Sequence, residues 1–253
     1  MTSRSTRKGI VYLVGAGPGD PGLITVRGLE LLKTADVIVH DSLIPKELLL
    51  LARSDSESID AGKRGGEHLS EQSEINSILV SKAKEGKIVV RLKGGDPFLF
   101  GRGGEEAESL LNEDIEVHVV PGVTSAVAVP ALAGIPVTHR DFSSTVTVIT
   151  GHESDDKEKE VIDWKSLAAV GGTLVILMGM YGLERNAKRL VENGLDPLTP
   201  AAVIEKGATS EQRVVFGVVS TIAEKCRKEK VKAPAIVVIG EVVLLGERLG
   251  DLR

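Results

Sequence analysis

After a short basic stretch, MTSRSTRKG, the hydrophobic pattern begins with GIVYLV at residues 9–14, an apolar run that stops at the glycine-rich string GAGPGDPG. The run predicts a buried strand and the glycines a tight turn. Leu29, Leu32 and Lys33 fit a helix starting near Thr25, and DVIVH at 36–40 predicts a second strand ending at Asp41. Over 68–87, HLSEQSEINSILVSKAKEGK places Ile75, Ile78 and Leu79 on one helical face, with Gly86 as the stop. A third strand at 88–92 runs straight into KGGDPFLFGRGGEEAE, and a fourth at 117–120 into PGVTSAVAVPALAG. Strands alternating with helices of this length predict βαβ units around a parallel sheet.

The second half repeats the alternation less regularly. Strands are predicted at 146–150, 173–178, 201–204, 214–218 and 235–239, helices at 182–193 and 220–230, and the charged stretch 154–160 reads as a solvated loop or the start of a helix. No repeat period or low-complexity linker divides the chain. The reading is a disordered tail at 1–8 and two α/β domains, 9–137 and 138–253, joined around 135–145. The cleft between them is the default ligand site.

Composition narrows the classes. With 253 residues, 42% hydrophobic and 26% charged, the chain has room for one large or two modest domains. The longest apolar candidate for a membrane span, residues 126–137, is broken by two prolines and a glycine, and the basic start lacks the apolar stretch of a signal peptide. One cysteine, Cys226, rules out an internal disulfide framework and a cysteine-cluster metal site, and it fits a reducing cytoplasm. A net charge of −5 with 3% aromatics gives no support to nucleic-acid binding. An anionic small molecule would need local clusters of Arg and Lys.

The 28 glycines gather in short clusters after the predicted strands. GAGPGD at 15–20 invites a dinucleotide reading and fits it badly. Asp20 stands where a small residue belongs, Pro18 removes a backbone donor, and a carboxylate at a helix start repels a pyrophosphate. Two readings stay open: a tight turn capped by Asp20, or a loop whose backbone approaches a ligand that is not a diphosphate. LKGGDPFLFGRGG at 92–104 exposes main chain at Gly94 and Gly95 where open α/β sheets bind ligands, and Asp96 beside those carbonyls suits a polar, partly cationic ligand. In PGVTSA at 121–126, Thr124 and Ser125 are helix-capping candidates. Three such loops on one edge of one sheet are the main signal.

The strings VYLVGAGPGDPGLITVRG, VIVHDSLIP, GKRGGEHLSEQSEIN, VVRLKGGDPFLFGRGGEE, VPGVTSA and GIPVTHRDFSSTVTVITGH resemble the uroporphyrinogen-III C-methyltransferases, members of the S-adenosylmethionine-dependent tetrapyrrole (class III) methyltransferases. The likeness runs from about residue 10 to 244. GAGPGD and KGGDP are shared across the superfamily, whereas Asp41 in HDSLIP and Lys63 in GKRGGEH carry the narrower likeness; His40 departs from a position often held by Tyr. The resemblance implies the tetrapyrrole methylase fold, with an N-terminal parallel sheet and a C-terminal mixed one, and a cytoplasmic homodimer with no metal. S-Adenosylmethionine would be held by Pro18, Gly94, Gly95, Asp96, Leu99, Thr124, Ser125, Met178 and Gly207. It further implies methylation of uroporphyrinogen III at C-2 and then C-7, giving precorrin-2 via precorrin-1 for sirohaem and/or cobalamin, with Asp41 as proton acceptor and Lys63 as proton donor.

Such a substrate is crowded with carboxylates. Arg27, Lys63, Arg64, Lys93, Arg102, Arg140 and Arg213 lie in or beside the motif loops and predict a locally basic trough on an acidic surface, since arginine forks suit carboxylates. The competing readings are a methylase of a later precorrin, a non-catalytic nucleotide- or tetrapyrrole-binding module, and a nicotinamide-dependent oxidoreductase. Asp41 and Lys63 argue against the first, the intact loops against the second, and Asp20 with Pro18 against the third.

Overall fold

The structure, a computed structural model, describes residues 9–62, 72–151 and 161–253. By contacts the chain divides into two compact units, with the division falling between Thr124 and Ser125.

The first unit is built on five parallel strands: β1 (Ile10–Gly15), β2 (Val37–His40), β3 (Glu57–Asp60), β4 (Ile88–Lys93) and β5 (Glu116–Val120), in the order β3-β2-β4-β1-β5. Strands buried on both faces read as apolar runs, as β1, most of β2 and the first half of β4 do; β4 also carries the buried Arg91 and Lys93. Alternate residues serve two cores. Val11, Leu13, Val37, Val39 and Val89 pack with Ile75, Leu79 and Ala83 of α3 (Gln72–Lys84) and Leu110 of α4 (Gly103–Asn112). On the other face Val14, Ile38, Val90 and Leu92 pack with Leu31 and Leu32 of α1 (Val26–Thr34) and Leu48 of the short α2 (Lys46–Leu49). Thr25 caps α1, its hydroxyl accepting from Gly28 N at 3.1 Å, and Gly86 turns the chain at φ +81° after α3.

The register sets up the site. Gly15 pairs with Lys93 across β1 and β4, and Val14 with Val120 across β1 and β5. The carboxyl ends of these neighbours are therefore flush, and all three glycine-bearing loops leave from one edge of the sheet.

The second unit has a mixed sheet: β6 (Val146–Thr150), β7 (Thr173–Leu177), β8 (Pro200–Glu205), β9 (Arg213–Val218) and β10 (Ala235–Ile239), in the order β6-β7-β10-β8-β9. Only β6 and β7 run parallel. Helices α6 (Trp164–Val170), α7 (Leu183–Glu192) and α8 (Val219–Lys228) supply Trp164, Leu183, Ala187, Leu190 and Ile222 to one core with Ile176, Val203 and Val237. Helix α5 (Ser125–Leu132), apolar nearly all round, packs against β7 and β10, and α9 (Val243–Leu249) against β8. Chain continuity groups α5 with the first half; its burial against β7 and β10 places it in the second unit. No helix among the described residues is long and apolar enough to cross a membrane.

Candidate active site

Three glycines make the loop edge possible. A Cβ on Gly15 would lie 2.5 Å from both Gly122 Cα and Gly95 O, and one on Gly122 would lie 2.2 Å from Gly95 O. The loops thus touch backbone to backbone, reinforced by Gly95 N donating to Gly17 O at 2.7 Å and Gly17 N to Gly95 O at 3.2 Å. Asp96 locks the arrangement: Oδ1 accepts from Phe98 N at 2.8 Å and Oδ2 from Gly122 N at 3.1 Å. Both oxygens that the sequence offered to a cationic ligand are engaged by the protein's own amides. Asp20 resolves as the cap of a single 3-10 turn, accepting from Gly22 N at 2.7 Å.

Gly94 is different. No described atom lies within 4 Å of its hypothetical Cβ. Its φ is not in the left-handed region, so neither packing nor conformation explains the glycine. Open space beside exposed main chain at a strand's carboxyl end is what a ligand approaching the backbone requires. Leu99, five residues further along the same loop, and Pro18, on the loop after β1, are half-buried.

Next to this edge lies a buried ion network. Asp41, just past β2, takes Arg91 Nη2 on Oδ1 at 2.5 Å. Arg91 Nε reaches Glu106 Oε1 at 3.1 Å, and the same oxygen takes Lys93 Nζ at 2.8 Å and Gln72 Nε2 at 3.1 Å. The side chains of Arg91, Lys93 and Glu106 are 3%, 4% and 0% exposed, whereas Asp41 is 36% exposed and is the one charged member among the described residues that opens to solvent. Burial, and secondarily the charge of Arg91, pushes the Lys93 ammonium below the ordinary lysine value, with Glu106 opposing. Asp41 does not cap the following helix; Pro45 holds that position. Lys93, expected on substrate carboxylates, is instead committed to Glu106. The sequence reading did not single out Arg91, Glu106 or Gln72. A signal was available: Arg91 and Lys93 stand two apart in a buried strand, hence on one face, and buried charges demand a buried acid.

Lys63 and Arg64 lie outside the described residues. Of the other expected cations, Arg27 is exposed, 3.8 Å from Glu30, and Arg102 forks onto Glu105 at 2.6–3.1 Å. Arg213 pairs with Glu205, and Arg140 is exposed before β6. In the second unit Ser125 is the first residue of α5 rather than its cap. Met178, past the end of β7, is 52% exposed at φ +55°, so it does not fill a core. Gly207 is dictated by packing, since a Cβ there would sit 2.2 Å from Val129 Cγ1 on α5.

Comparison with known proteins agrees with this architecture. Residues 10–223 match the family model of tetrapyrrole (corrin/porphyrin) methylases. An S-adenosyl-L-methionine-dependent uroporphyrinogen III methyltransferase of Methanosarcina barkeri is 56% identical over 97% of this chain and 96% of its own. A uroporphyrinogen-III C-methyltransferase of Methanocaldococcus jannaschii is 55% identical over 93% and 97%. A solved uroporphyrin-III C-methyl transferase of Thermus thermophilus, complexed with S-adenosyl homocysteine, superposes with a TM-score of 0.81 at 40% identity, covering 94% of this chain and all of that one. Flush glycine loops on a parallel sheet, a mixed second sheet and likeness over nearly the full length lead to one conclusion: the chain belongs to the tetrapyrrole methylase family.

Proposed function

We propose that the chain is a uroporphyrinogen III C-methyltransferase, placing methyl groups at C-2 and then C-7 to give precorrin-2 via precorrin-1 for sirohaem and/or cobalamin. One observation carries the reading: the open flank of Gly94 amid three flush loops, in a chain 56% identical to a protein of that activity.

S-Adenosylmethionine, when bound, supplies a methyl group already activated by its sulfonium. The residues fit such a ligand. Gly94 leaves room for a ligand against its main chain, and Asp20 at the neighbouring turn disfavours a diphosphate. Pro18, Gly94, Gly95, Leu99 and Thr124 are proposed to hold it. Asp96 shapes the loop through its two amide bonds. Ser125, Met178 and Gly207 are assigned to the same ligand by family resemblance.

An electron-rich pyrrole carbon needs little acid–base help to take an activated methyl, so positioning carries most of the acceleration. A proton must still leave the macrocycle. Asp41 is proposed as its acceptor: its carboxylate opens to solvent while Arg91 fixes Oδ1. Lys63 is proposed as donor on family resemblance. Arg27, Arg64, Arg102, Arg140 and Arg213 are proposed for the substrate's carboxylates. Resemblance to the family also supports a homodimer, which sedimentation equilibrium would read directly.

The test is the position of transfer. With 13C-methyl S-adenosylmethionine, carbon NMR of the product should show label at C-2 and C-7, and Asp41→Asn should form it far more slowly. Label elsewhere on the macrocycle overturns the assignment.

A further inference from the structure

We propose that Glu106 is a positioning residue that holds Asp41 in place through Arg91; the inference rests on the reading of Asp41 as proton acceptor. Glu106 lies on the first turn of α4, the helix that follows the glycine loop, and reaches Asp41 through a single guanidinium. Arg91 gives Nε to Glu106 at 3.1 Å and Nη2 to Asp41 at 2.5 Å. With Glu106 fixing one side of that planar fork, the other side has one direction in which to point. Lys93 and Gln72 share the Glu106 oxygen, at 2.8 and 3.1 Å, and so fix the anchor itself.

Stability alone does not explain this arrangement. Glu106 is fully buried, and its Oε2 finds no hydrogen-bond partner among the described residues. A buried ion cluster with an unsatisfied oxygen is commonly matched or bettered in stability by apolar residues of the same volume, whereas ionic networks of this kind fix geometry. The two cations and two carboxylates end at a single solvent-facing group, Asp41. The network therefore joins the loop proposed to hold the cofactor to the carboxylate proposed to take the proton.

The experiment uses the full chain and charge-balanced variants, because Glu106→Gln alone strands Lys93. Lys93→Met combined with Glu106→Met removes the brace on Arg91 and keeps the charge even. It should lower kcat roughly 100-fold, the scale of a misplaced catalytic group. S-Adenosyl homocysteine affinity by calorimetry and the KM for uroporphyrinogen III should each stay within about threefold, since an interaction made only in the transition state appears in kcat. Lys93→Met with Glu106→Gln, whose amide oxygen still accepts from Arg91, should recover most of the rate. In an Asp41→Asn background the Met pair should cause no further loss. An unchanged kcat in the folded Met pair, losses that add to those of Asp41→Asn, or a loss carried by KM or cofactor affinity would overturn the proposal while leaving the role of Asp41 intact. A wild-type kcat in Asp41→Asn alone would overturn both.

Discussion

Gly94 and Gly122 occupy the same loop edge for opposite reasons. Gly122 is glycine because Gly95 O stands where its Cβ would go, at 2.2 Å, and neither backbone can yield. Gly122→Ala should therefore destabilise the fold by about 1–3 kcal/mol, the range for overpacking, read as a lowered midpoint in urea. Gly94→Ala should leave that midpoint unchanged and weaken S-adenosylmethionine binding in calorimetry, because the added methyl group enters the open flank. If Gly94→Ala binds the cofactor as wild type does, that flank is not the binding surface. Both glycines stand plainly in the sequence, but the distinction between them does not, since it depends on how far β1, β4 and β5 extend before they turn. The task of Asp96 was hidden for the same reason: its partner Gly122 lies 26 residues away.

At the scale of elements, Asp36 acts as a clamp. Its Oδ2 accepts from Ile88 N at 2.9 Å at the start of β4, and its Oδ1 takes Arg53 Nη2 at 2.9 Å, with Arg53 in the stretch leading to β3. The Ile88 amide first, and Arg53 second, hold the carboxyl below the ordinary aspartate value of 3.8. A lowered folded value means that the stabilisation is fully present above 3.8 and is lost as pH falls through that lower value. Asp36→Ala should cost roughly 1–3 kcal/mol at neutral pH, and the gap from wild type should close on acidification, as thermal melts at several pH values would show. In the turn after β8, Gly207→Ala should drive a Cβ into Val129, and Val129→Ala beside it should restore part of the lost stability. If the two effects simply add, the α5 contact is not what fixes Gly207.

Some elements were legible and others were not, for physical reasons. β1, β2 and the start of β4 are apolar because both of their faces are covered, so the runs announce themselves. β3, ESID, is an edge strand with two exposed residues and two half-buried ones, and it carries no such run. Helices α6 and α9 span seven residues each, too short for a 3.6-residue period to emerge. α5 is apolar on nearly every side, and its sequence does not say which sheet it will cover.

At the scale of the whole molecule, net charge and substrate chemistry pull in opposite directions. A chain of net charge −5 is proposed to bind a polycarboxylate, so local cations must overcome a repulsive average. Of the expected cations among the described residues, Arg27 and Arg140 are exposed and could turn to a carboxylate without breaking a short ion pair. Replacing the two with Ala should raise the KM for uroporphyrinogen III more than that for S-adenosylmethionine; equal rises would remove them from the substrate's path. The likeness to the family was legible because its motifs are short continuous strings, one of which, residues 89–106, contains Arg91, Lys93 and Glu106; that these three meet each other and Asp41 was not, because the contacts depend on how β2, β4 and α4 pack. A methyl count tests the proposed activity most directly. Purified protein is incubated without oxygen with uroporphyrinogen III and methyl-labelled S-adenosylmethionine, and the product is weighed by mass spectrometry. A gain of two labelled methyl groups per macrocycle is expected; an unmethylated macrocycle, with cofactor binding retained, would rule the activity out.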